Sequence, residues 1–148
     1  MAADVTQASN ESRIRELIDD WVTALRAKNI DGLLSNHVQD IVLFDLPTPL
    51  QYRGADAYRK NWEEWFPTLE GPVGYEIREL SVTAGDDVAF SHSLNRITST
   101  SAGGEAIDVW VRATVGFRKI NGRWMVTHEH VSVPFYMDTG KAACDLKP

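Results

Sequence analysis

The sequence predicts an α+β fold in which a curved antiparallel sheet wraps around helices. Three observations lead there. Apolar residues recur at helical spacing early in the chain, at Ile14, Leu17, Ile18, Trp21, Val22 and Leu25. Four stretches rich in β-branched and aromatic residues then follow one another between Glu76 and Val133. The last two are arms of a hairpin, joined by Lys119-Ile120-Asn121-Gly122-Arg123, where Gly122 can take positive φ without steric cost.

The elements can be justified in order. Asn10 is a suitable N-cap for the first helix, and Lys28-Asn29 end it. Asp31 can cap a short second helix carrying Leu33, Leu34 and His37. Asp40 to Leu46 is expected to be a strand, stopped by Pro47 and Pro49, which cannot continue a central ladder. Gly54 precedes a third helix with Tyr58, Trp62, Trp65 and Phe66 on one face, broken at Pro67. Glu76 to Ala84 and Asp87 to Thr98 are expected strands, joined by Gly85-Asp86, and Ser99 to Glu105 a loop. The hairpin arms run from Ile107 to Arg118 and from Arg123 to Val133, and Tyr136 begins a tail without periodicity.

The hairpin register follows from its pattern. With Ile120-Asn121-Gly122 as a bulged loop, Lys119 pairs with Arg123, Val115 with Thr127, Ala113 with Glu129 and Val111 with Val131. Val111, Ala113, Val115, Phe117, Met125, Val131 and Val133 then face the helices, with Thr127 and Glu129 among them. Trp110, Arg112, Thr114, Trp124, His128, His130 and Ser132 face away. Glu129 becomes a carboxylate on an inward face, which needs a partner or a wet cavity.

Bulk properties bound the function. A chain of 148 residues fits one domain, here residues 1–148, with an ordered core over about residues 10–135 and a tail after it. The net charge of −6 and the absence of a basic run argue against a nucleic-acid partner. The single cysteine, Cys144, rules out an internal disulfide and a cysteine metal cluster. Met1 to Arg13 is polar, with no apolar signal core, and no stretch has the composition of a membrane span. A cytoplasmic location is the expectation.

Three stretches carry a family resemblance. Trp21-Val22-Thr23-Ala24-Leu25 with Asn29-Ile30-Asp31-Gly32 resembles a first helix and its closing turn. Phe44-Asp45 with Gly54 resembles the end of a first strand, and Gly122-Arg123-Trp124-Met125-Val126-Thr127-His128-Glu129-His130-Val131-Ser132 resembles the last strand. Together, from about Ile14 to Pro134, they resemble the nuclear transport factor 2 superfamily, in its SnoaL-like and ketosteroid-isomerase-like branch. The last strand and Arg96-Ile97-Thr98 also resemble the association domain of calcium/calmodulin-dependent kinase II.

The resemblance implies a cone-shaped fold, the cystatin-like α+β barrel, with three N-terminal helices inside the sheet. It implies a small apolar or aromatic ligand in the cone and chemistry without a cofactor, as in isomerases, cyclases and dehydratases. It equally admits a non-catalytic ligand-binding or association domain, commonly a homodimer. Asp45 stands where the steroid isomerases hold a basic aspartate. Trp21 stands where they hold an oxyanion-donating tyrosine. Their second donor, a protonated aspartate, falls at Thr114 or Val115, and neither is an acid.

Several residues are therefore candidates, each with two readings. Asp45 is a general base in an apolar cone, or a cap of the turn that follows it. His92 and Arg96 share alternation with Val88, Phe90 and Leu94 on the expected inner side. His92 then assists Asp45, and Arg96 holds an anionic or carbonyl group; otherwise His92 is a core histidine and Arg96 pairs with Glu129. Trp21, Trp62 and Trp65 line a ligand cavity or simply pack. Arg112, His128 and His130 form a homodimer face or a second site, with a metal at His128 and His130 the lesser alternative. The expected cavity has His92, Arg96 and Glu129 as its polar points.

Overall fold

The computed structural model describes residues 2–148, with side chains from Val5 onward. Three helices, α1 (Ala2–Arg26), α2 (Ile30–Leu34) and α3 (Ala55–Trp65), precede most of the sheet. The strands are β1 (His37–Phe44), β2 (Tyr52–Arg53), β3 (Leu69–Ala84), β4 (Val88–Ser101), β5 (Ala106–Ile120) and β6 (Arg123–Ser132). They form one curved sheet in the order β2-β1-β6-β5-β4-β3. The α+β class is as expected, but β2 and β3 remain as edges, so the sheet is not closed into a barrel. Nor is it wholly antiparallel, since β1 runs parallel to β6. That pairing needs a long crossover, because strands with the same direction cannot be joined by a tight turn.

Helix α1 packs against β3, and α3 against β1. Ile14, Leu17, Val22, Ala24 and Leu25 make the buried face of α1, matching its apolar periodicity. Asn10 is not its cap, because the helix begins well upstream at Ala2. Asn10 is instead buried, donating to the Gly85 carbonyl at 3.1 Å and accepting from Trp124 Nε1 at 3.3 Å. The cap of α2 is Asn29 rather than Asp31, its Oδ1 accepting from Gly32 N at 3.1 Å. His37 does not extend that helix. It opens β1, which begins three residues earlier than the apolar run suggested.

The hairpin differs from the bulged loop expected above. Ile120 pairs with Arg123, leaving the two residues Asn121 and Gly122 as the turn, with φ of 52° and 77°. Both positions are left-handed, as in the type I′ turn whose twist matches that of the strands. This moves Trp124 and Val126 to the inner face and Met125 away from it. A bulge then absorbs one residue: Phe117 pairs with Val126 but Gly116 pairs with His128, so Thr127 is extra. Its hydroxyl donates to the Gly116 carbonyl at 3.3 Å. The bulge reverses the alternation, and Glu129 and Val131 face inward after all. Val115 opposes Glu129, and Ala113 opposes Val131.

Similar irregularities in β1 and β3 help the sheet curve. Replacing Gly122 by Ala is expected to cost about 1–2 kcal/mol, the usual penalty of a left-handed residue with a Cβ. Urea denaturation of the variant checks it, and an unchanged midpoint contradicts it. Past β6 the chain turns back on itself: Phe135 bridges Ala142, and Ala143 is buried. Among the described residues, no helix is long and apolar enough to cross a membrane.

Candidate functional site

The concave sheet face and α1 enclose a cavity of about 70 Å³. Its apolar lining includes Leu17, Ile18, Trp21, Ala113, Val115 and Phe117, and its polar lining includes His37, Tyr75, Ser93, Asn95 and Glu129. The central pair is His37 and Glu129. They come together because β1 lies beside β6, although 92 positions separate them in sequence. His37 Nε2 and Glu129 Oε1 are 2.7 Å apart, and both side chains are largely shielded from solvent. A carboxylate oxygen is the acceptor in this contact, so Nε2 carries a hydrogen. His37 Nδ1 is buried and has no hydrogen-bond partner.

Aromatic packing fixes this histidine. Its ring stacks on Tyr58, with centroids 5.0 Å apart. The Tyr58 hydroxyl accepts from Trp21 Nε1 at 3.1 Å. Burial pushes the Tyr58 hydroxyl pKa well up, and the Glu129 carboxylate adds to the rise. Tyr58 therefore stays protonated and anchors the floor beneath His37. On the other side, Asn95 Nδ2 donates to the Tyr75 hydroxyl at 2.8 Å, and the Ser93 hydroxyl donates to Asn95 Oδ1 at 2.8 Å.

Several expected site residues lie elsewhere. On β4 the inner positions are Ala89, Ser91, Ser93 and Asn95, while Val88, Phe90 and His92 are exposed. His92 therefore faces away from the cavity and makes no contact with Asp45. Arg96 also faces outward, gripping Asp108 through two bonds of 2.8 and 2.7 Å. It is neither a cavity group nor the partner of Glu129. The inversion has a physical basis: a cavity leaves room only for small side chains on the strand beneath it. Of the tryptophans, only Trp21 lines the cavity. Trp62 and Trp65 pack behind it, with Trp62 stacked on Phe66 at 5.3 Å and edge-on to Trp65 at 5.7 Å.

Asp45 lies just past β1, at a separate open cleft of about 610 Å³ that it lines with Phe44, Gln51 and His130. Its Oδ1 accepts from Leu46 N at 2.7 Å, the local bond of a turn-forming aspartate. Burial raises its pKa, the Leu46 amide opposes that rise, and the Glu129 charge adds to it. A raised folded pKa means that ionisation works against folding. Asp45→Asn is thus expected to raise the thermal midpoint at neutral pH. The gain should fade as pH drops through the folded pKa and then below the ordinary value near 3.8, where both states are protonated. Melting curves from pH 3 to 8 check this, and a gain that grows in acid contradicts it.

Arg112, His128 and His130 lie on the outer side of the hairpin. Arg112 Nε donates to Ser132 Oγ at 3.2 Å, and His128 Nδ1 lies 2.6 Å from the Val42 carbonyl. Phe44 sets its edge against both histidine rings, at 4.7 and 5.4 Å. Trp124, expected beside them, is buried on the other face. Among the described residues, no group of three or more His, Cys, Asp or Glu side chains is placed to hold a metal ion.

Sequence reasoning missed His37, Tyr75, Ser93 and Asn95. The one available signal was the run of small and polar residues alternating along β4, which marks a strand under a cavity.

Comparison with known proteins agrees with this architecture. A family model, the SnoaL-like domain, matches residues 14–136. A protein of unknown function from Pseudomonas putida KT2440, described as NTF2-like, is 42% identical, with a TM-score of 0.87 over 95% of this chain and 98% of that one. A ketosteroid isomerase-like protein from Erwinia carotovora atroseptica SCRI1043 is 24% identical, with a TM-score of 0.70 over 82% of this chain and 94% of that one. The association domain of C. elegans CaMKII is 18% identical, with a TM-score of 0.68 over 85% of this chain and 97% of that one. At those last two identities, the likeness concerns the fold alone. A search of curated proteins gave no match.

Proposed function

The chain belongs to the SnoaL-like domain family, and on that premise we propose that it is a small-molecule enzyme moving protons with its own side chains. The observation that carries this is the shielded His37–Glu129 pair, 2.7 Å apart in an otherwise largely apolar cavity. Glu129 is the base. It takes a proton from a carbon beside a carbonyl; the C–H bond breaks, an O–H bond forms on the carboxylate, and the electron pair moves onto the carbonyl oxygen. Return of the proton to the same carbon gives exchange, and its return to another gives isomerisation. Loss of a neighbouring hydroxyl as water makes the enzyme a dehydratase. His37 orients the carboxylate through its Nε2–H. Asp45, at the neighbouring cleft, is a secondary acid–base group in this scheme.

A direct test supplies small ring ketones in D₂O and follows deuterium at the carbon beside the carbonyl by NMR. Enzyme-dependent uptake supports the proposal. No uptake by any ketone that binds removes it.

A binding or association role is the second reading, favoured by the outer sheet face. Val88 and Phe90 are exposed there on β4, with Trp110, Arg112 and His130 on the next two strands. Exposed apolar side chains on one sheet face are the usual material of an interface. We therefore expect a homodimer through this face. A monomeric mass by light scattering at micromolar concentration removes that expectation.

A further inference from the structure

We propose that the reacting end of the substrate reaches Glu129 from the Asp45 cleft, past Val131, and that Val131 limits this end to a group about as narrow as an acetyl. The rest of the ligand, an apolar body, stays in the cleft. This rests on the reading of Glu129 as the base and adds the residue that decides which carbonyl compounds the base can reach.

The two spaces have complementary shortcomings. The cavity holds Glu129, but at about 70 Å³ it takes an acetyl-sized group or a few waters, not a ring. The cleft has about 610 Å³, within the range of about 300–1,000 Å³ usual for small-molecule sites, but Glu129 does not line it. Val131 is the one residue common to both linings. A molecule too large for the cavity therefore meets the base only at this side chain.

The register explains the position of Val131. Leu43 pairs with Glu129 and Phe44 with His130, so one step further Asp45 falls beside Val131. Strand β1 ends at Phe44, and the chain then leaves the sheet, which opens the cleft along this part of β6. Val131 and Glu129 are two residues apart on one strand, so their side chains share a face about 7 Å apart. Across β5, Val131 opposes Ala113, whose side chain is too small to narrow the passage. The width is left to Val131. Its β-branched side chain is stiff about χ1 and does not swing aside freely.

The cleft suits an apolar body. Phe44, Leu46, Leu50 and Val133 line it, and Leu50 is 96% exposed, so a ligand there covers surface that otherwise faces water. Among the described residues, no lysine or arginine lines either space, while Asp45 and Glu129 each bring a carboxylate. An anionic ligand would lose its hydration for a site without a compensating cation. The expected substrate is thus an uncharged carbonyl compound with a narrow acyl end and an apolar tail.

Two ketones of equal carbon number test this: 2-hexanone, whose acyl methyl is free, and cyclohexanone, whose α-carbons are tied into a ring. Deuterium uptake in D₂O gives kcat/KM for each with the native protein, Val131→Ala and Val131→Ile. Val131→Ala should shift the ratio toward cyclohexanone by at least about tenfold, since single methylene groups in apolar pockets discriminate by about 10–200-fold. Val131→Ile should shift it the other way. A ratio cancels any general loss of folded protein, and the same ratio in all three proteins overturns the proposal. The native protein supplies a second measurement, the nuclear Overhauser contacts of bound 2-hexanone. Its acyl methyl should lie against the methyls of Val131, and its tail against those of Leu46 and Leu50. Bound 2-hexanone without these contacts overturns the proposal even if neither variant folds. If the contacts are seen but neither ketone gains deuterium, the entry route stands and the acid–base reading falls. If neither ketone binds, both fall.

Discussion

Glu129→Gln is expected to lower catalysed proton exchange by about 10²–10⁴-fold, the range lost with a general base. The substitution keeps shape and hydrogen bonding, since a glutamine oxygen can still accept from His37 Nε2 at the 2.7 Å contact. Only the capacity to take up a proton is removed. The fold should persist, and circular dichroism with a melting curve establishes that before rates are compared. His37→Gln should reduce exchange as well, but less, because it disturbs the orientation of the base rather than removing it. The two changes act through one contact, so the double variant should be little worse than Glu129→Gln alone. Native rates in Glu129→Gln would move the chemistry to another residue, and Asp45 would be the next candidate.

The second large effect is on stability. Phe117→Ala is expected to cost about 3–5 kcal/mol, the usual range for emptying a buried phenylalanine site. Phe117 is 1% exposed and belongs to the cluster of Ile14, Leu17, Ile41, Tyr58, Trp124 and Val126. It sits directly before the bulge, opposite Val126. Its loss would enlarge the existing cavity beside it and loosen the strand geometry that turns Glu129 inward. In a domain of this size the melting temperature should drop on the order of 10 °C. A fall of only a degree or two would mean that the surrounding helix and strands collapse onto the space. The Phe117→Leu variant separates volume from aromatic contact and should cost much less.

The elements of this protein were legible because they are written in local patterns. The apolar spacing of Ile14, Leu17, Val22 and Leu25 marks one face of a helix, whatever it packs against. The alternation in β5 and β6, with Asn121-Gly122 between them, marks a hairpin. The three-stretch resemblance to the superfamily located the fold, and the inward placement of Glu129 was anticipated, although through a different turn. The local signals did not extend to the ends of elements: Asn10 lies eight residues inside α1, Asn29 caps α2 in place of Asp31, and His37 opens β1.

The site was legible only in part. Period-two alternation shows that the two faces of β4 differ, but not which one the helices cover. Val88 and Phe90 made the outer face look like the inner one, and His92 and Arg96 went with them. That choice is made by the pairing of Ser91 with Val115 and Asn95 with Val111, contacts that no local pattern contains. The joining of His37 to Glu129 depends on β1 lying parallel to β6, and the inward aim of Glu129 depends on the extra residue at Thr127. Local patterning thus carried the three helices, five of the six strands and the α+β class, since those follow from backbone propensity and spacing over a few residues, while β2 and the first seven residues of β3, Tyr75 among them, escaped it. Tertiary structure alone decided which side chains share the cavity. Burial and hydrogen bonding there are set by strands far apart in the chain, and one bulged residue exchanges the inside of a strand for its outside.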